Sequence, residues 1–111
     1  LINKKINLKD FRLTFRSKYR AADIEPNKNS LVPGGLFEIS KSDEKRLDVY
    51  EDFPILYKKF YFYHYDKKVM TYTMVQKTPF RFPTERYLNI VKRGYLDCKL
   101  DQKFLKKALF N

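Results

Sequence analysis

The densest acidic group in this 111-residue sequence is Leu47-Asp48-Val49-Tyr50-Glu51-Asp52. Asp48, Glu51 and Asp52 fall at i, i+3 and i+4, so on a helix at least two of these carboxylates are neighbours. If the run closes a helix, they face the negative end of its dipole, which disfavours ionisation. Burial beside Tyr50, Phe53 and Tyr57 would push a carboxyl further up by desolvation. A carboxyl raised in this way exchanges protons near neutral pH, which is general acid–base chemistry. On spacing alone, the simpler reading is a solvated acidic helix end in a basic protein.

Other chemistries are poorly supplied. One histidine and one cysteine, Cys98, argue against a zinc site within the chain and exclude an internal disulfide framework. A lone cysteine also suits a reducing cytoplasm, the expected location. Three glycines are too few for a phosphate-cradling loop plus ordinary turns, and no dinucleotide or Walker fingerprint occurs. No apolar run approaches the ~18 residues of a membrane helix. The 24 Lys+Arg against 13 Asp+Glu give a net charge of +11, which raises nucleic acid as a partner. The lysines are scattered, however: Lys4-Lys5, Lys58-Lys59, Lys67-Lys68 and Lys106-Lys107 form no stripe. That scatter favours solubilising charge on turns and strand edges over a nucleic-acid surface, although Tyr57 to Tyr65 interleaves aromatics with lysine.

The elements that must position these groups fit one domain, residues 1–111, of α+β class. Ten Phe and nine Tyr point to a core built from rings. Phe11 to Arg16 alternates apolar and polar, as a half-buried strand does. Ala21 to Glu25 is short and small-sided, and Pro26 to Ser30 reads as a turn cluster. Leu31 to Ile39 reads as a strand interrupted by Pro33-Gly34-Gly35, a bulge or a place of close backbone approach. Ser40 or Ser42 can cap the next helix, with Leu47 and Tyr50 on its inner face and its end before Pro54. Leu56–Tyr65 and Val69–Gln76 then form a hairpin around Asp66-Lys67-Lys68. Thr78 to Pro83 is a rigid connector. A helix follows from Thr84 to about Arg93, with Gly94 at its C-terminal end. A last helix from Asp101 sets Phe104, Leu105, Ala108 and Leu109 along an apolar stripe.

The order of these pieces resembles the γ-glutamyl cyclotransferase-like (AIG2-like) superfamily. The resemblance rests on Ala-Asp-Ile-Glu-Pro, then Val-Pro-Gly-Gly-Leu-Phe-Glu-Ile, then Leu-Asp-Val-Tyr-Glu-Asp-Phe-Pro-Ile-Leu-Tyr. A later Pro83-to-Tyr87 segment and Gly94 also fit, and the whole spans roughly residues 9 to 95. It implies a small, mostly antiparallel β-barrel with short flanking helices. It also implies an enzyme that releases 5-oxoproline from a γ-glutamyl amine or amide. Glu51 then matches the catalytic glutamate, and Tyr57, Tyr87 and Gly35 match the substrate cavity. Asp48 and Tyr50 are supporting residues. Since the substrate's own α-amine attacks its γ-carbonyl, proximity is built in, and one carboxyl serves as base and then acid. Neither metal nor cofactor is called for, and the partner is a small γ-glutamyl molecule.

The sequence departs from the family in one place. The hallmark Tyr-Gly-Ser-Asn-like loop, which binds the substrate's α-carboxylate, has no counterpart, and the chain begins with Leu rather than Met. The expectation is that a first strand, its loop and a helix are missing upstream. Such a gap would expose a sheet edge open to homodimerisation. It would also leave this 111-residue chain with little or no turnover. A non-catalytic small-molecule-binding member of the same fold is the alternative, with a basic nucleic-acid-binding module behind it.

Overall fold

The alternating run at Phe11–Arg16 is the last third of a longer strand, β1 (Ile2–Arg16), paired antiparallel with β2 (Ala21–Phe37). These bounds come from a computed structural model that describes residues 2–110, with side chains from residue 4 onward; Leu1 lies outside them. The tight turn between the strands places Ser17 and Arg20 at positive φ, and the Arg20 N–H closes it on the Ser17 carbonyl at 3.0 Å.

Pro26–Ser30, expected as a turn, lies instead within β2 as an irregularity of the ladder. Phe11 faces Pro26 and Lys9 faces Leu31, so Asp10 alone stands opposite residues 27–30. The detour is held by two residues of types that tolerate left-handed backbone, Asp10 (φ 63°) and Asn29 (φ 68°). The Asp10 carboxylate accepts the Asn29 N–H at 3.0 Å. Turn chemistry was read correctly there; that the strand resumes afterwards depends on the partner strand. β2 stops at Phe37 rather than Ile39.

Helix α1 (Lys41–Tyr50) begins at Ser40, not Ser42. Ser40 Oγ accepts the Asp43 N–H at 3.1 Å, and the Asp43 carboxylate accepts the Ser40 N–H at 3.2 Å, a reciprocal capping box. The expected inner face is not there. Leu47 is partly exposed, Tyr50 is 83% exposed, and α1 buries none of its residues. Polar bonds attach it instead to the hairpin β3 (Tyr57–His64) and β4 (Lys67–Met74). Lys59 Nζ donates to Glu44 at 2.6 Å and to Asp48 at 3.1 Å, and the Tyr72 hydroxyl donates to Asp48 at 2.6 Å. The turn of this hairpin is Tyr65-Asp66, ahead of the expected triplet, with Tyr65 at positive φ.

Helix α2 (Glu85–Asp97) is capped by Thr84 and runs past Gly94, correcting the expected end at Arg93. It stops three residues beyond that glycine, with Lys99 at φ 55°. There the Lys99 N–H bonds the Leu96 carbonyl at 3.0 Å and the Leu100 N–H bonds the Tyr95 carbonyl at 2.8 Å. This is the Schellman pattern without its usual glycine. Helix α3 (Gln102–Ala108), capped by Asp101, buries Leu105 and Ala108 of the expected stripe. The core comprises Phe15, Leu88, Tyr95, Leu105 and Ala108, between the β1–β2 turn end and the two C-terminal helices. Rings supply less of it than their number suggested: Phe15, Tyr57 and Tyr95 are buried, whereas Tyr19, Phe37, Tyr50, Tyr61, Tyr63, Tyr65, Phe82 and Phe110 are exposed.

The architecture is therefore α+β, with two separate two-stranded antiparallel sheets and three helices. Among the described residues the strands do not close into a barrel, and neither sheet is mixed. Among the described residues no helix is long and apolar enough to cross a membrane.

The two hairpins meet through buried charge. Arg16 lies on the polar side of the alternating run, yet it and Thr14 are buried, because β1 is covered on both faces. Asp23, with a fully buried side chain, accepts the Met74 N–H at 2.8 Å and the Thr73 hydroxyl at 2.9 Å on one oxygen. Its other oxygen lies 2.8 Å from Lys77 Nζ and 3.1 Å from Arg16 Nε. Arg16 also pairs with Glu25 and donates to the Thr78 carbonyl at 2.8 Å. The connector continues this attachment, with the Arg81 N–H on the Phe15 carbonyl at 2.9 Å.

Two stability changes follow. Asp23→Ala takes one of its two carboxylate partners from buried Arg16 and the acceptor from the Met74 N–H, and should cost about 3 kcal/mol in urea denaturation. Gly94→Ala should stabilise by about 0.5–1 kcal/mol, since a Cβ there meets nothing within 4 Å and the position is helical.

Candidate functional site

Glu51 occupies the C-cap of α1, and local backbone chemistry determines its direction. Its N–H bonds the Leu47 carbonyl at 2.8 Å. Asp52 then turns to φ 54°, its N–H on Val49 at 3.1 Å, and the Phe53 N–H reaches the Asp48 carbonyl at 2.8 Å. This second glycine-free Schellman end reverses the chain directly after Glu51. A series of turns leads to Tyr57 at the start of β3, and the Phe53–Pro54 peptide within it is cis.

Glu51 is half-buried, and desolvation pushes its carboxyl above the ordinary glutamate range. It lies close enough to Tyr57 and Tyr87 for its charge to raise both phenols, which burial raises more strongly. The Tyr57 phenol is also raised by the charge of Asp23. The two tyrosines are fixed by one residue. The Tyr57 hydroxyl donates to the Ala22 carbonyl at 2.6 Å, and the Ala22 N–H donates to the Tyr87 hydroxyl oxygen at 3.0 Å. Both bonds satisfy backbone groups of β2 that no neighbouring strand takes up. They use the Tyr57 proton but leave that of Tyr87 free to donate elsewhere.

The fold thus brings Glu51, Tyr57 and Tyr87 together from the end of α1, the start of β3 and the first turn of α2. Tyr50 is near enough to influence both phenols, but its ring is in solvent and cannot desolvate Glu51 as expected. Asp48 sits one turn back and is engaged by Tyr72 and Lys59, whose hydrogen bonds hold its carboxyl below the usual range. Gly35 is placed elsewhere: it pairs with Lys5 in the β1–β2 ladder. Lys5 borders a groove of about 720 Å³ whose lining does not include Glu51. Among the described residues, no cluster of three or more His, Cys, Asp or Glu side chains could hold a metal ion.

The sequence reading missed Asp23 and Arg16. A signal for them was present. An aspartate within a strand-forming run is disfavoured unless its carboxylate is engaged, and Arg12 and Arg16 stand at alternate positions of the strand before it.

The raised Glu51 carboxyl makes a pH-dependent prediction. The folded chain holds this proton more tightly than the unfolded one, so ionising Glu51 destabilises the fold as pH rises from the unfolded value through the raised one. Glu51→Gln removes that penalty. It should melt higher than the parent at neutral pH and equal to it at pH values below about 4, where both forms are neutral. Equal melting temperatures across the whole range would show that burial does not hold the Glu51 proton. Compared with protein-family models, curated proteins and solved structures, the chain matches none.

Proposed function

We propose that the chain carries a γ-glutamyl cyclotransferase-like domain in which Glu51 is the general acid–base and a γ-glutamyl amine or amide is the substrate. On this reading, the two hairpins and their helices correspond to that superfamily's barrel. The observation that carries it is the desolvated carboxyl of Glu51 beside two anchored tyrosines. The sequence resemblance assigned those three residues to one site, and they come from three separate elements.

The reaction asks little of the protein. Glu51, as carboxylate, takes a proton from the substrate's α-ammonium. The freed amine attacks the γ-carbonyl carbon, forming the C–N bond of a five-membered ring and a tetrahedral oxyanion. As that intermediate collapses, the bond to the leaving amine breaks and Glu51 returns the proton to it. The carboxylate so regenerated takes the remaining extra proton from the ring nitrogen, leaving a neutral lactam, and passes it to water. A carboxyl above its ordinary range is a stronger base toward the ammonium, and near neutral pH it keeps the proton for delivery to the leaving amine better than an unperturbed one. The free hydroxyl proton of Tyr87 is suited to the developing oxyanion. Tyr57, whose proton is committed to Ala22, presents only its oxygen and serves as an acceptor for the ammonium. Asp48, held by Lys59 and Tyr72, keeps the helix end in place and takes no proton.

The test is release of 5-oxoproline from γ-glutamyl amines at high substrate concentration. Turnover should be slow, because no Tyr-Gly-Ser-Asn-type segment lies within the 111 residues to bind the α-carboxylate. It should vanish in Glu51→Gln, with the circular dichroism spectrum unchanged, and fall about 10²-fold in Tyr87→Phe if that hydroxyl meets the oxyanion. Release that persists in Glu51→Gln, or no release at all from the parent chain, would overturn the proposal.

A further inference from the structure

Lysines that are scattered in sequence converge in one groove. It lies between the first half of β1, the end of the β3–β4 hairpin and the corner joining α2 to α3, and encloses about 720 Å³. Three lysines and His64 line it, against a single carboxylate, Asp101. That carboxylate is engaged: it caps α3 by accepting the Lys103 N–H at 2.9 Å, and Lys103 Nζ lies 3.8 Å from its other oxygen. The groove therefore carries a net positive charge.

The lysines are placed by backbone rather than left to wander. Lys5 and Lys9 share one side of β1, roughly 13 Å apart at the rise of a strand. Lys5 Nζ donates to the Lys99 carbonyl at 3.2 Å, which ties β1 to the helix corner. Lys99 is the left-handed residue that ends α2, so its side chain leaves the helix at the groove.

Aromatic rings stand beside this charge. Tyr63 is 69% exposed and Tyr65 is 88% exposed, and both line the groove. The His64 ring packs against Tyr65 at 4.7 Å. The exposed faces of the two tyrosines leave them open to stacking at the edge of the cationic groove. Ring faces and ammonium groups in one groove suit the bases and phosphates of an unpaired strand. A duplex would offer the lysines its phosphates but keep its bases stacked away from the tyrosines.

We propose that this groove binds single-stranded nucleic acid, with phosphates on Lys5, Lys9 and Lys99 and bases stacked on Tyr63 and Tyr65. The proposal does not depend on the chemistry at Glu51, which lies outside the groove. It reverses the weight that the scatter of lysines put against nucleic acid, because proximity in sequence is not what gathers them.

The test is fluorescence anisotropy of a labelled oligothymidylate with the 111-residue protein. Binding should weaken with salt, with a slope of log affinity on log salt of about −2 for three phosphate contacts. The triple variant Lys5→Ala/Lys9→Ala/Lys99→Ala should lose at least about tenfold in affinity and most of that slope. The triple variant Lys28→Ala/Lys45→Ala/Lys92→Ala, of equal charge, should lose far less. Tyr63→Ala/Tyr65→Ala should cost at least about thirtyfold, two stacking rings being lost, with little change in slope. Equal losses in the two lysine variants would reduce the effect to net charge and overturn the proposal. So would no binding at low salt. Two competition experiments on the parent protein need no variant to fold: displacement by duplex DNA or by phosphatidylserine vesicles as effective as by unlabelled single strand also overturns it.

Discussion

The fold depends on satisfying one buried carboxylate. Asp23 sits in a strand, with its side chain withdrawn from water, where an unpaired charge would cost several kcal/mol. Its partners come from distinct parts of the chain: Arg16 from β1, Thr73 and Met74 from β4, and Lys77 from the segment just after β4. No subset of elements can bury Asp23 without the others. This polar cluster joins one hairpin to the other, together with the Phe11–Phe60 ring contact at 5.2 Å and the Tyr57 bond to Ala22. The apolar core, around Phe15 and Leu105, joins the first hairpin to the C-terminal helices.

The same arrangement builds the candidate site. With β2 held at Asp23, the neighbouring Ala22 presents its carbonyl and N–H away from β1. Tyr57 and Tyr87 supply the missing partners. Two carboxyl groups in contrasting surroundings then act on the Tyr57 phenol. Asp23 has donors on both oxygens, whereas Glu51 experiences desolvation alone. Environment, more than residue type, separates a structural carboxylate from one suited to exchange protons.

Local signals were read well where they are local. The capping box at Ser40, the caps at Thr84 and Asp101, and the buried Leu105 and Ala108 all follow from side-chain chemistry within a few residues. Errors arose where a local rule met a tertiary partner. Gly94 looked like a helix end, but α2 continues and stops at Lys99, whose strained backbone is held by carbonyls of the helix and by Lys5 at its own carbonyl. Leu47 and Tyr50 have the spacing of an inner face, yet α1 is attached by Lys59 and Tyr72 and leaves both in contact with water. The turn cluster at Pro26–Ser30 bends a strand without ending it, because β1 resumes pairing beyond the bend.

The sequence by itself determined the strand and helix tendencies, the α+β class and the position of Glu51 at a helix end, since these rest on residue spacing and on backbone groups close in the chain. Tertiary structure alone decided which polar residues are buried. Arg16 belongs to a pattern that reads as half-exposed and is buried because a second hairpin covers it. The same holds for the lysines: Lys5, Lys9 and Lys99 lie at opposite ends of the chain and share a groove only after β1 packs beside the helix corner. Burial and electrostatic potential are sums over spatial neighbours, and most of those neighbours are distant in sequence.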